Sequence, residues 1–337
     1  MSNRKRIDVH QHIVPQFWAD ALPSHGGDPS GWKCPDWSCE GALAFMDSLE
    51  IEAAVLSLTA PGVKGWNGKA KREISRKVNE YTADVVARYP TRFGNFATLP
   101  LPDVEGALEE IGYAFDTLNV DGVVLLSNYN GVYLGDPSFD PIWAELDRRK
   151  AVVFIHPTMP QLATLPGLPG PMLDYPFDTT RTAAHLLQNG VISRYSGVRI
   201  ILSHAGGFLP YAAYRVAAVS ALARNNPSAQ SGLIDQLRTF YFDTALSSPS
   251  ALPSLLEFAK PENILFGSDF PYAPAPVSAS FTAQQDDCAL LSEEQHRMVN
   301  RTNALPLFPR LESLSEWTCP YQTGHRHPVK LMSQPVA

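Results

Sequence analysis

The chain has 337 residues, 45% of them hydrophobic and 18% charged, with 27 Lys+Arg against 34 Asp+Glu for a net charge of −7. That length can bury a sizeable core, and the acidic balance with no basic stripe argues against nucleic acid as a partner. No apolar run reaches bilayer length, so no membrane partner is expected.

Eight short apolar segments occur in order: 7–9, 53–58, 93–99, 122–127, 152–155, 199–203, 240–244 and 264–267. Most read as continuous apolar runs, such as AAVLSL, GVVLLS, VVFI and IILS. Such runs suit parallel strands covered on both faces. Between them, residues 69–89, 104–118, 139–150, 179–188, 209–224, 250–259 and 293–307 have helical character. Alternating strands and helices predict βαβ units, and eight of them predict closure into a (β/α)8 TIM barrel. The expectation is one domain over 1–337. Pro/Gly/Trp-rich residues 23–39 would form a lid insertion over the mouth, and 310–337 an extended C-terminal tail. The Pro-rich stretch 158–175 should line the same mouth.

The basic N-terminal cluster is followed by too short an apolar stretch for a secretory signal, so the cytoplasm is the expected location. The four cysteines, Cys34, Cys39, Cys288 and Cys319, then read as free thiols. Cys34, Cys39 and nearby His25 suggest at most a small zinc site lacking a fourth ligand.

Chemistry concentrates at strand ends. His10 and His12 are two apart on the first strand, so both imidazoles should face the barrel mouth. His156 follows VVFI, His204 follows IILS, and Asp269 follows ILFGS. Each belongs at the C-terminal face, where barrel active sites form. His10, His12, His156 and Asp269 together suit Zn²⁺, with Mn²⁺ as the alternative. Asp8 has the parity of His10 and is expected to orient an imidazole behind the metal, or to add a ligand. His204, in SHAGG, is a candidate general base or proton shuttle. No phosphate-cradling glycine motif occurs, so no organic cofactor is expected.

The series D-x-H-x-H, IHP, HAGG and GSDFP, with the stretches Tyr89–Glu110 and Asp121–Pro157, resembles the amidohydrolase superfamily. Within it, the chain resembles the aminocarboxymuconate-semialdehyde decarboxylase-like branch, and most nearly the fungal 6-methylsalicylate decarboxylases. The resemblance implies metal ligation by His10, His12, His156 and Asp269, and catalysis by His204 and Asp269. It implies an Arg215 that reaches a neighbour's site in a homodimer or dimer-based oligomer. It also implies a Phe270 packed on the substrate ring. Two features depart from the semialdehyde decarboxylases. No arginine follows AAVLSLTAPG, and no tryptophan stands near Pro171, where Tyr175 and Phe177 are the nearest aromatics. A smaller aromatic carboxylic acid is therefore expected, with 6-methylsalicylate losing CO2 to give 3-methylphenol. The alternatives are the semialdehyde or another ring acid, or a metal-dependent lactonase on the same fold.

Overall fold

The computed structural model describes residues 5–313. Its main sheet has eight parallel strands in chain order: β1 (Arg6–His12), β2 (Ile51–Ser57), β3 (Phe93–Thr98), β4 (Gly122–Leu126), β5 (Val152–His156), β6 (Arg199–Leu202), β7 (Tyr241–Asp243) and β8 (Ile264–Leu265). Backbone bonds join the first strand to the last. Val9 N–H donates to Phe266 C=O at 3.0 Å and Asp269 N–H to His10 C=O at 2.8 Å. A bridge between Gln11 and Phe270 continues the seam. This is the expected barrel, and all eight predicted strands are present.

Helices Gly68–Arg88, Val104–Asp116, Asp140–Arg148, Leu209–Ala223 and Leu252–Phe258 lie where the periodicity puts them. The helix after β5 starts five positions before the expected 179, at Asp174, so Tyr175 stands on a helix rather than in a loop. The last expected helix breaks after Arg297 into a π-turn, Met298–Thr302. Helices Gln16–Ala21, Cys39–Ser48, Gln230–Leu237 and Ala275–Asp286 went unpredicted. The last of these has little amphipathic pattern to read, with Ser278, Thr282 and Gln285 as its buried residues.

Inside the barrel, Ile7, Val9, Phe96, Val124, Phe154, Ile201 and Leu265 fill the space between strands. Leu307, Phe308 and Leu311 close its lower end. Arg310 ties that plug to Asp121 at 2.8 Å. The first residues of the expected tail therefore belong to the barrel, while 314–337 lie outside the described residues. With its base plugged and its interior packed, the barrel leaves only the C-terminal mouth for chemistry.

Candidate metal centre

A bulge in β1 decides which side chains enter the mouth. Asp8 pairs with Ala54 and Gln11 with Leu56, so β1 carries one residue more than β2 over that stretch. The extra residue reverses the alternation. Ile7 and Val9 point into the core, and above the bulge His10 and His12 take over the inward positions. Asp8 does not share the face of His10, contrary to the parity argument. Its carboxylate accepts from the Ser268 hydroxyl at 2.6 Å, Ser268 N–H at 3.1 Å and His10 N–H at 3.0 Å. Asp8 thus fastens the turn after β8 to the first strand, and the hydrogen bonds it accepts come from Ser268, Gln11 and the His10 backbone rather than from an imidazole. Burial lifts its carboxyl to about 6, against the lowering effect of those hydrogen bonds.

The structure brings His10, His12, His156 and Asp269 together, all buried, with one ligand atom from each within 4.8 Å of every other. His10 Nε2 lies 3.1 Å from His12 Nε2 and 3.2 Å from Asp269 Oδ1, and His12 Nε2 lies 3.0 Å from the same oxygen. Donors about 2.0–2.2 Å from one divalent ion are separated by about 3.0–3.5 Å along each edge. The triangle has that size, and the donor set suits a borderline ion such as zinc or manganese.

The opposite ring nitrogens are all spoken for. His10 Nδ1 lies 2.9 Å from Asp243 Oδ2, and His156 Nδ1 is 2.8 Å from the Pro157 carbonyl. His12 Nδ1 is 3.1 Å from Ser57 Oγ and 3.2 Å from its carbonyl. With Nδ1–H donated outward, each Nε2 presents a lone pair to the centre. Lone pairs and a carboxylate at these separations repel unless a cation lies among them. Protonation alone shows the same demand. Burial presses the His10 imidazole down, yet Asp243 and Asp269 lift it to about 10. Burial holds His12 down, and His156 well down. The Asp269 carboxyl is raised by burial but ends well below the usual range because of His10, His12 and His204.

His204 stands beside this group. Its Nε2 is 3.5 Å from Asp269 Oδ2, and its buried Nδ1 has no hydrogen-bond partner. The backbone from His204 to Gly207 has φ values of +53, +55, +73 and +64°, a run of left-handed residues. Each non-glycine there costs about 1 kcal/mol. The run is possible because Gly207 sits where a Cβ would come 2.0 Å from the Pro176 carbonyl.

A cavity of about 450 Å³ opens above the centre. Thr59, His156, His204 and Asp269 form its polar floor, and Met172, Tyr175, Phe208 and Leu246 supply apolar wall. No lysine or arginine lines it among the described residues. Tyr175 is buried with its ring 6.3 Å from that of His156, and the Ser30 hydroxyl contacts its phenol. Cys34 Sγ lies 3.7 Å from the Tyr272 hydroxyl.

The remaining residues singled out in the sequence lie away from this cavity. Phe270 stacks on Phe45, ring centres 4.0 Å apart, on the far side of the strand from the cavity. Arg215 is exposed on helix Leu209–Ala223 and does not enter this chain's own site. His25 stacks on Trp66 at 4.2 Å, while Cys39 faces Arg88, so those residues do not converge on a second metal. Asp243 and Ser57 escaped the sequence reading. Asp243 carried a usable signal, because it ends an apolar strand segment just as His156 and His204 do.

The chain is similar to known proteins. A family model described as Amidohydrolase matches residues 7–310. A 6-methylsalicylic acid decarboxylase of Aspergillus aculeatus is 44% identical over 91% of this chain and 97% of its own length. That of Penicillium expansum is also 44% identical, over 92% and 98%. Among solved structures, a 2,6-dihydroxybenzoate decarboxylase complexed with 2,6-dihydroxybenzoate is 25% identical. It covers 92% of this chain and 100% of that one, with a TM-score of 0.74. With its barrel, its His/Asp centre and a family match over nearly all described residues, the chain belongs to the amidohydrolase family.

Proposed function

We propose that the protein is a metal-dependent, non-oxidative decarboxylase that converts 6-methylsalicylate to 3-methylphenol and CO2. The observation that carries this reading is the His/Asp donor group at the floor of an apolar cavity that no lysine or arginine lines among the described residues. The described walls of this cavity offer an anionic ring acid no cationic partner, so an ion held by the donor group would supply the positive charge that its carboxylate needs. The similarity to 6-methylsalicylic acid decarboxylases supports the same substrate.

His10, His12, His156 and Asp269 would hold the ion, zinc first and manganese as the alternative. Bound there, it would supply Lewis acidity toward the carboxylate and its ortho oxygen. The chain's own residues do the rest. Asp269 and His204, 3.5 Å apart, form one proton-carrying pair facing the cavity. The pair delivers a proton to the ring carbon that bears the carboxylate. The carbon–carboxylate bond then breaks, its electron pair restores aromaticity, and CO2 leaves. Overall, one proton replaces one CO2, and no electron acceptor is needed. Tyr175 and Phe208 flank the ring, and the apolar wall excludes water.

The working form is a cytoplasmic homodimer. Helix Leu209–Ala223 starts at the rim and exposes Tyr211, Tyr214, Val219 and Leu222 around Arg215. A partner packed on that face would bring Arg215 toward the neighbouring mouth, supplying the missing positive charge. No helix among the described residues is long and apolar enough to cross a membrane.

Turnover of 6-methylsalicylate in D2O tests the chemistry. The expected 3-methylphenol carries one deuterium between the hydroxyl and the methyl group. A product retaining the carboxylate, or a ring-opened acid from a lactone, would move the reading to a hydrolase.

A further inference from the structure

A carboxylate accepts hydrogen bonds on both oxygens, whereas an amide of the same shape accepts on one. Asp243, at the end of β7, is fully buried and uses both. Its Oδ2 takes the His10 Nδ1–H at 2.9 Å. Its Oδ1 accepts the backbone N–H of His204 at 3.0 Å and of Ala245 at 2.9 Å. Among the described residues no lysine or arginine pairs with it, and its three bonded partners are all N–H donors.

The two edges serve different parts of the site. The His10 edge fixes the tautomer that aims a lone pair at the metal position. The other edge holds the first residue of the left-handed run His204–Gly207, which local backbone preference would abandon. The far end of that run is held separately, by Phe208 N–H donating to Thr180 Oγ1 at 2.8 Å. Gly267 makes room, since a Cβ there would come 2.9 Å from His10 Cβ and 3.1 Å from Asp243 Cβ.

We infer that Asp243 is a positioning residue that locks the metal-facing tautomer of His10 and the placement of His204 to one carboxylate. The inference rests on the metal assignment above. Metal binding and turnover are thereby coupled through a residue that touches neither ion nor substrate.

Asp243→Asn tests this without changing shape. If the amide oxygen keeps His10, the amide N–H2 confronts two backbone N–H donors and the His204 loop loses its anchor. If the amide turns round, it donates to His10 Nδ1 and moves the ring proton to Nε2, where it blocks ligation. The measurements are Zn²⁺ and Mn²⁺ affinity by chelator competition, and kcat and KM at saturating metal. The expected result is affinity weaker by about 10–100-fold, or wild-type affinity with kcat at least about 100-fold lower and KM little changed. Asp243→Glu, which retains two acceptor oxygens, should bind metal more tightly than Asp243→Asn and covers the case in which the amide variant does not fold. Wild-type affinity together with wild-type kcat in Asp243→Asn overturns the inference. A wild-type protein that binds neither ion overturns the metal assignment itself.

Discussion

His204 Nε2 lies 3.5 Å from Oδ2 of Asp269, while the other oxygen of that carboxylate lies 3.0 Å from His12 Nε2. One side chain therefore faces the His12 imidazole with one oxygen and the His204 imidazole with the other. His204 is not one of the four grouped donors. His204→Asn should accordingly retain bound metal and lose at least about 100-fold in kcat, the usual scale for a lost proton-transfer group. Metal content by mass spectrometry and steady-state rates check both halves. Loss of metal in this variant would make His204 a ligand.

Phe270 stacks on Phe45 at 4.0 Å instead of facing the cavity. Phe270→Ala should thus lower stability by about 2 kcal/mol, toward the low side for a half-buried aromatic, and leave KM nearly unchanged. Denaturant unfolding and KM measured on the same preparation separate the two. A large KM increase at constant stability would restore Phe270 to the substrate.

Glu110 is buried against Asn79 and Arg76, at 2.7 and 2.9 Å. Burial outweighs both partners and raises its carboxyl above the ordinary 4.5. The folded state then holds that proton more tightly than the unfolded state. The resulting stabilisation is complete below pH 4.5 and is lost as pH rises through the raised value. Relative to wild type, Glu110→Gln should therefore melt comparatively higher at pH 7.5 than at pH 4.5. A difference in melting temperature that is flat with pH, or of opposite slope, would contradict this.

Arg215 is exposed, while among the described residues no lysine or arginine lines the cavity. Arg215→Ala should lower kcat/KM by about 10–100-fold with unchanged metal content, consistent with losing a charge-assisted contact. Mixing Arg215→Ala and His204→Asn subunits should recover activity, since each mixed dimer then contains one intact site. Absence of recovery in demonstrably mixed dimers would remove Arg215 from the neighbour's site.

Much of this was legible in the sequence because strand ends announce themselves. An apolar run closed by a single His or Asp fixes both the strand and the direction of the side chain, as with His156 and His204. Asp269 followed the same rule from four residues past β8. The bulge in β1 was not legible. It depends on pairing with β2, a long-range relation, and it reversed the placement of Asp8 while leaving His10 and His12 inward. Phe270 failed for a similar reason. Its neighbour Asp269 has φ +61°, and the turn sends successive side chains to opposite sides of the strand. The helix Ala275–Asp286 buries Ser, Thr and Gln, so hydrophobic periodicity gave no sign of it. Asp243 was readable by the strand-end rule and was passed over inside an apolar segment.

The central claim is metal-dependent loss of CO2 at the His10/His12/His156/Asp269 centre. The most direct measurement compares metal-replete and chelator-stripped protein on 6-methylsalicylate, following CO2 and 3-methylphenol together. The account predicts equal amounts of both from the replete protein, none from the stripped protein, and recovery on adding Zn²⁺ or Mn²⁺. Undiminished CO2 release from protein shown to be metal-free, or no CO2 from any ortho-hydroxybenzoate, would contradict it.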